Sequence, residues 1–594
     1  MTRPVRIANC SGFFGDRLSA AREMTDPAVT ADSPIDVLTG DWLAELTMLI
    51  LHKQRSRNAE LGYAGTFLTQ MEQVLGTCVD QGIKVVTNAG GLNPAGCADK
   101  VRELAARLGI DVNVAHIEGD DLMPRVDGLR PQLSHLDTGA GLTGEPVSAN
   151  AYLGGWGIAT ALRSGADVVV CPRVTDAALV VGPAAWWHDW ARDDWDRLAG
   201  AVVAGHVIEC GAQATGGNYS WFEQIPDLSL APGFPIAEVA NDGSSVITKH
   251  PGTGGLVDAG TVTAQLLYEI GGTDYPNPDV VARFETIELE QLGRDRVRIH
   301  GVRGRPAPAT TKVCINLEGG WRNRMTFVLT GLRQREKAAW IEDALFTRLG
   351  GKDRFDDVDV RLVEAPSDAP SQEQASGRLH VTVKSHDDRL AGKAFSQACI
   401  ELALANYPGF FASGTPGDAQ SYGVYWPALV DAGEVHETVV LHDGTRTPVA
   451  PPRSVMPTSK PHEVTGMTQT AGSASPVGPV GPADGEPLGS VFAARSGDKG
   501  GNANVGIWAR DDAGYAWLAA NLTPDAIHRL LPETAALEVR RHELPNLRAL
   551  NFVIVGLLGE GVASSTAFDP QAKGLAEYLL SRIYASTRSP MPRA

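Results

Sequence analysis

The chain has 594 residues and a formal net charge of −18, with 43% hydrophobic and 21% charged residues. That length exceeds one core and sets an expectation of roughly two to four domains of ordinary globular composition. The acidic balance argues against a nucleic-acid partner or an anionic membrane surface, without barring a local basic pocket for a phosphate or a CoA.

No run of about 18 apolar residues occurs, and the opening MTRPVRIANCSGF runs into a strand without a signal-peptide core, so a cytoplasmic address is expected. Seven cysteines are scattered with no CxxC pair, and the fourteen histidines show no HExxH spacing. Neither a disulfide framework nor a zinc site is expected.

The first 280 or so residues repeat one theme. Short β-branched runs at Val5–Ala8, Ile35–Leu38, Ile83–Val86, Val112–Ile117 and Asp167–Val170 each give way to small polar residues. Helical patterns lie between them at Trp42–His52, Gly65–Val79, Ala95–Leu108 and Ala151–Arg163. This alternation predicts a layered α/β domain over residues 1–283 with a mainly parallel sheet, either open or closed into a barrel. Ligands of such folds bind at the carboxyl ends of the strands. The candidates there are Asn9 and Ser11, Asp41, Asn88 with Gly90, Gly91 and Asn93, Asp120 and Asp121, and Arg173 with Asp176. Asp41 and Asp176 also stand where helix caps are placed.

Val202–Gly217 follows, VVAGHVIECGAQATGG, with Asn218 beyond it. His206 and Glu209 share a face on a helix and point apart on a strand, and the Val-Ile pair favours a strand. Cys210 is either a buried small hydrophobe or, with a lowered pKa, a nucleophile. In the glycine-rich loop at Lys249–Gly255, Lys249, His250 and the backbone amides are candidates for holding a carboxylate or phosphate, or for polarising a thioester carbonyl. The loop lacks the GxxxxGK[ST] order of an ATPase, and Asn9–Gly15 lacks the GxGxxG of a nicotinamide site.

From Phe284 the pattern becomes strands in groups, at Val297–Gly301, Lys312–Leu317, Met325–Leu329, Val358–Val363 and Leu379–Ser385, with helices at Lys337–Leu349 and Leu390–Ala405. This predicts an α+β subdomain over 284–444, closed by an aromatic Gly/Pro-rich loop. Residues 445–487 have the Pro, Ser and Gly content of a semi-extended linker. Residues 488–594 predict a small α+β sandwich of ferredoxin-like type. In it Arg495–Asn504, RSGDKGGNAN, is either a hairpin turn or an anion-binding loop.

Together these stretches resemble the acyclic terpene utilisation protein A family, also called domain of unknown function 1446. The resemblance runs nearly end to end and rests on SGFFGDR (11–17), DVLTGDWLAELTM (36–48), TNAGGLNP (87–94), GDD (119–121), ANAYLGG (149–155) and RVTDA (173–177). It continues in GHVIECGAQATGGN (205–218), KHPGTGG (249–255), QLLYEI (265–270) and ARSGDKGGNANVG (494–506), the last resembling the family's C-terminal ferredoxin-like domain. Trp42 and Cys171 depart from the expected Tyr and Gly or similar small residue. The family name implies breakdown of acyclic terpenes or branched acids as acyl-CoA thioesters, without an agreed reaction or assigned catalytic residues.

The expectation is a cytoplasmic, oligomeric enzyme acting on a branched or unsaturated acyl-CoA without a cofactor, as a lyase or hydratase. Asp41, Asp121, Asp176 or Glu209 would be the base, and Asn88, Asn93, Lys249 and the glycine-loop amides the donors. Arg173 would grip a carboxylate. Two alternatives stand beside it. One is a non-catalytic scaffold working with an acyl-CoA carboxylase or hydratase, and the other a hydrolase holding Mg²⁺ or Mn²⁺ on Asp120, Asp121 and Asp176.

Overall fold

The computed structural model describes residues 3–452, 455–456 and 479–584. The chain divides into two compact units, one of Met1–Asn316, Tyr425–Val562 and Gln571–Ala594, the other of Leu317–Val424 and Ala563–Pro570.

The first unit is organised on an open eleven-stranded sheet rather than a barrel. Its centre is five parallel strands in the order Val5–Asn9, Val37–Gly40, Lys84–Thr87, Val168–Val170, Val114–Glu118. Successive residues feed opposite cores. Ile7, Val37, Val86, Ala115 and Val169 join the core formed with helices Trp156–Arg163, Ala178–Trp187 and Trp195–Ile208. Ala8, Leu38, Val85, Val114 and Val168 join the one formed with Gly65–Gln81 and Pro94–Leu108. Period-2 side chains buried on both faces explain why these strands read as unbroken apolar runs. Each fully buried Val or Leu contributes about 1.5–3 kcal/mol. Asn93 caps the Pro94–Leu108 helix by accepting from Gly96 N at 3.0 Å, and Gly109 ends it at φ 70°.

Antiparallel strands extend both sides. Pro235–Val239, Ser245–Lys249, Arg296–His300 and Glu288–Gly293 continue outward from Val5–Asn9, and Thr438–Val440 and Arg446–Pro448 from Val114–Glu118. Two expectations change as a result. Residues 284–316 and 425–441 belong to the first unit, because a hairpin added to a sheet edge has the same local pattern as the start of a new sheet. The second compact unit starts at Leu317. The Pro-rich stretch 445–487 also opens with an edge strand, where a proline costs no ladder bond. Residues 457–478 of that stretch lie outside the described residues.

The 202–217 segment is also corrected. Val202–Ile208 forms the end of the Trp195–Ile208 helix, followed by a 3-10 turn at Gly211–Thr215. Residues Leu198 to Ile208 are all buried, so the helix shows no polar stripe to betray its period.

The second unit packs Gln334–Leu349 and Phe395–Glu401 on a sheet that includes Asp357–Val363 and Ser376–Ser385, around Phe327, Leu329, Ile341, Leu345, Leu379, Val381 and Phe395.

The C-terminal ferredoxin-like domain lies within the first unit. Its four antiparallel strands run in the order Ala493–Lys499, Asn502–Trp508, Ala549–Ile554, Val539–Leu544. Ala494, Val505, Ile507, Leu550, Phe552 and Ile554 pack on its own helices, including Asp512–Asn521, Pro524–Leu530 and Leu575–Leu580. Ala493, Trp508 and Ala549, on the opposite face, are part of the core of the large α/β domain. No helix among the described residues is long and apolar enough to cross a membrane.

Candidate active site

The five parallel strands deliver their carboxyl ends to one edge of the sheet, and several of the sequence candidates meet there. Asn9 Nδ2 donates to the carbonyls of Ile208 and Glu209 at 2.5 and 2.9 Å, and its Oδ1 accepts from Ser11 N at 2.9 Å. The first strand end therefore grips the helix end that carries Glu209. Gly12 completes the grip, since a Cβ there would lie 2.4 Å from the Cys210 carbonyl carbon. Asn88 spans two loops: its Oδ1 accepts from Trp42 N at 2.8 Å, and its Nδ2 donates to Asp41 Oδ1 at 2.6 Å. Asp41 does not cap the following helix, which starts at Glu45. It closes a turn by accepting from Leu43 N at 3.0 Å.

Arg173 is buried with its Nη1 donating to Asp176 Oδ1 at 2.7 Å and to Val174 O at 2.9 Å. Its guanidinium lies 4.1 Å from the centre of the Tyr152 ring. The Tyr152 hydroxyl donates to Glu45 Oε1 at 3.1 Å, and Lys312 Nζ donates to the same oxygen at 3.2 Å. Glu45, Lys312 and Asp176 keep 28–31% of their side-chain surface accessible, whereas Arg173 keeps 3%. Arg173 is thus a buried cation with three partly accessible charged groups around it.

Two groups of titrating residues face each other. Burial, then the charge of Asp176, raises the Asp41 carboxyl well above its usual range, against the pull of Arg173 and Asn88. Glu209 is raised for the same reasons, burial first, then Asp176 and Glu269. Like charges crowded around one arginine resist joint ionisation, so Asp41 and Glu209 both bind a proton more tightly than ordinary carboxyls. His206 Nδ1 lies 3.3 Å from Glu209 Oε1. Burial, then Lys499, lowers His206 to about 4, so the contact is made by a neutral imidazole to a carboxyl whose ionisation burial opposes. Burial and then Glu209 push the Cys210 thiol up, away from a thiolate nucleophile.

The second group is permanently charged. Burial works against ionised Glu45, but Lys312 and Arg173 outweigh it and hold the carboxyl below its usual range. Burial likewise opposes charge on Lys312, and Tyr152 and Glu45 outweigh it. The Tyr425 hydroxyl, buried and without a hydrogen-bond partner, borders this group and is raised by burial and then by Tyr152 and Glu45.

The remaining candidates serve elsewhere. Ser11 Oγ donates to Phe13 O at 3.1 Å. Gly90 lets its loop pass Cys171 O, which a Cβ would approach to 2.6 Å, and Gly91 sits at φ 52°. Asn93 is the helix cap described above. Asp120, raised to about 7 by burial and partly offset by Asn150, accepts from Asn150 Nδ2 at 2.7 Å and Arg173 N at 3.3 Å. Asp121 is exposed and accepts from Met123 N at 2.9 Å. Asp120, Asp121 and Asp176 thus do not form one donor set, and no group of three or more His, Cys, Asp or Glu among the described residues is placed to hold a metal. Lys249 reaches the same sheet edge two strands from Asn9 but donates to Thr253 O at 2.9 Å, closing its own turn, and His250 Nε2 lies 3.1 Å from Met24 O. Asn218, at φ 58°, gives its carbonyl to Arg495 Nη1 at 3.1 Å.

Sequence reasoning missed Glu45, Tyr152, Lys312, Tyr425, Glu269, Tyr275 and Lys499. Glu45, Tyr152, Glu269 and Lys499 lie inside stretches already singled out as motifs, so a signal existed for those four. Tyr425 lies in the aromatic Gly/Pro-rich loop read above, and Lys312 opens a strand that was read only as structure.

The first unit is thus an open α/β sheet with helices on both faces and with buried acids and an arginine gathered at its parallel strand ends. The model of the acyclic terpene utilisation family protein AtuA matches residues 5–441, and that of the AtuA ferredoxin-like domain matches residues 486–584. The chain therefore belongs to the AtuA family, which ties it to acyclic terpene utilisation. No curated protein matches it.

Proposed function

We propose that the protein is a proton-transfer enzyme of acyclic terpene or branched-acid breakdown, a lyase or hydratase acting on a branched or unsaturated acyl-CoA. The observation behind this reading is the gathering of Asp41 and Glu209, whose carboxyls are raised by burial and by Asp176, around the Arg173–Asp176 pair, with the Lys312–Glu45 pair beside it. The family ties the chain to acyclic terpene utilisation, and the acyl-CoA class is part of the proposal. Chemistry beside a thioester carbonyl needs a proton donor or acceptor at carbon and a fixed positive charge where the carbonyl oxygen gathers electrons. Glu209, protonated and next to neutral His206, is the acid that gives a proton to carbon or to a leaving hydroxyl, and it recovers the proton in the reverse direction. Asp41, steered by the Asn88 amide, is its counterpart on the other side of Arg173. Arg173 and Lys312 polarise the carbonyl or hold a second carboxylate.

The test is turnover of 3-methylbut-2-enoyl-CoA and longer branched enoyl-CoAs, followed by loss of enoyl-thioester absorbance. Glu209→Gln and Asp41→Asn are each expected to lower kcat by about 10²–10⁴-fold with the melting temperature retained. Unchanged rates in both variants, or no turnover of any branched thioester by the wild type, would refute the reading.

A further inference from the structure

Residues of the C-terminal domain reach into this constellation. Along Ala493–Lys499 alternate side chains face opposite ways, and Ala494 and Ser496 turn toward the domain's own helix Leu575–Leu580, with Ser496 Oγ accepting from Ala576 N at 2.9 Å. Arg495, Gly497 and Lys499 therefore share the face that packs on Leu267–Ile270. The approach is close because two positions lack side chains. A Cβ at Gly497 would lie 2.4 Å from the Tyr268 ring, and one at Gly506 would lie 2.5 Å from Leu267 Cβ.

Between these contacts Glu269 sits at φ 57°, a left-handed backbone unusual for this residue type. Its N–H donates to Asn504 Oδ1 at 2.8 Å, and its carbonyl accepts from Lys499 Nζ at 2.7 Å. Both backbone groups of the strained residue are held by the C-terminal domain. Such strain persists only where the surroundings over-determine it, and it concentrates at functional positions. Asn218 repeats the arrangement, at φ 58° with its carbonyl held by Arg495.

Lys499 itself is only partly exposed, with its ammonium 5.7 Å from the Tyr275 ring centre. The charges acting on it come from Lys312, Glu269, Glu45 and Glu209, and it acts in turn on His206. The Tyr275 ring lies between them: its centre is 4.9 Å from the His206 ring, and His206 is 3.3 Å from Glu209, so Lys499 stands one ring away from the His206–Glu209 contact.

We propose that the site is composite and that Lys499, supplied by the C-terminal domain, is a catalytic residue whose N–H groups hold an anionic oxygen of the substrate, a carboxylate or the developing enolate of a thioester, opposite Glu209. This rests on the functional reading above. Burial, then Lys312, lowers the Lys499 pKa, against Glu269, Glu45 and Glu209. The amine thereby gives up a proton more readily than an exposed lysine.

The test uses the full chain. Its lysines are trace-labelled with acetic anhydride at graded pH, and labelling is read peptide by peptide, alone and with 3-methylbut-2-enoyl-CoA or free 3-methylbut-2-enoate. Lys499 is expected to titrate below the exposed lysines of the same digest and to lose tenfold or more of its reactivity in the presence of the thioester. Lys499→Gln is expected to keep its melting temperature within a few degrees and to lose about 10²–10³-fold in kcat/KM. Titration of Lys499 together with the exposed lysines overturns the proposal and leaves the functional reading standing. So does thioester binding, seen by thermal shift, that does not shield Lys499. Shielding by the free acid alone supports Lys499 and overturns the acyl-CoA assignment. Shielding by neither ligand, with no thermal shift, overturns both.

Discussion

Glu437 provides a measurable link between burial and pH. Its carboxyl and that of Asp279 lie at the start of the Trp156–Arg163 helix. Gly155 N donates to Asp279 Oδ2 at 2.7 Å, and the Gly157 amide serves Glu437. A helix N-terminus favours anions there, yet burial, then the nearby Asp279 charge, pushes Glu437 from its ordinary 4.5 to about 8, with Arg192 offsetting only part of the rise. Asp279 is pushed to about 6 by burial. The sign follows from the proton count. An acid whose folded pKa is raised binds its proton more tightly in the native state, so its contribution is fully present below the unfolded pKa and is lost as pH climbs through the folded value. At about 1.36 kcal/mol per pKa unit, the interval from 4.5 to about 8 sets a ceiling of about 5 kcal/mol between acid and alkaline solution. Partial contact with water cuts that to about 2–4 kcal/mol. Glu437→Gln keeps an acceptor for Gly157 and has no charge to bury. It should melt close to the wild type at about pH 4.5 and well above it at about pH 9, with the gap opening across that range. Thermal unfolding of both proteins over a pH series measures this. A wild type and variant whose melting curves stay parallel from acid to alkali would refute the assignment of a buried, proton-holding Glu437.

Asn88→Ala leaves the Trp42 amide and the Asp41 carboxyl without their partner and is expected to cost about 1–3 kcal/mol. Equal thermal midpoints would show that Asn88 is not the brace between the two loops. Gly12→Ala places a Cβ 2.4 Å from Cys210 backbone and should lower both stability and turnover by moving Glu209, whereas Gly65→Ala, with nothing within 4 Å, is expected to be neutral or stabilising. The comparison fails if both variants melt alike. Cys210 should resist iodoacetamide at near-neutral pH in the native protein and react once unfolded, because its thiol is raised by burial and by Glu209. Rapid native labelling of Cys210 would contradict that environment.

The central strands were legible because their side chains enter a core on both faces, which leaves uninterrupted β-branched runs between polar loops. The helix at Trp195–Ile208 was not, since complete burial removes the period that marks a surface helix, and with it went the His206–Glu209 contact. Asp41, Asn88, Arg173, Asp176 and Glu209 were visible as polar residues ending strands or motifs. Lys249, His250 and Asn93 carry the same local signature but spend their polar atoms on their own turns or on nearby backbone. That distinction is set by partners about 4 to 226 residues away, and composition does not record it. Lys312 and Lys499 meet Glu45 and the Glu269 carbonyl, partners 267 and 230 residues away, which a pass along the chain cannot foresee.

The small C-terminal sheet touches two cores, one on each face. In Asn502–Trp508 and Ala549–Ile554 every residue is buried, while the outer strand Val539–Leu544 retains exposed positions. Saturation mutagenesis should therefore find no odd and even rhythm of tolerance along the two inner strands, and the greatest tolerance at the exposed Arg540 and Glu543 of the outer one. For anyone moving this domain between relatives, its transferable unit is not the domain alone but the domain together with Leu267–Ile270, the ledge on which its second face was fitted.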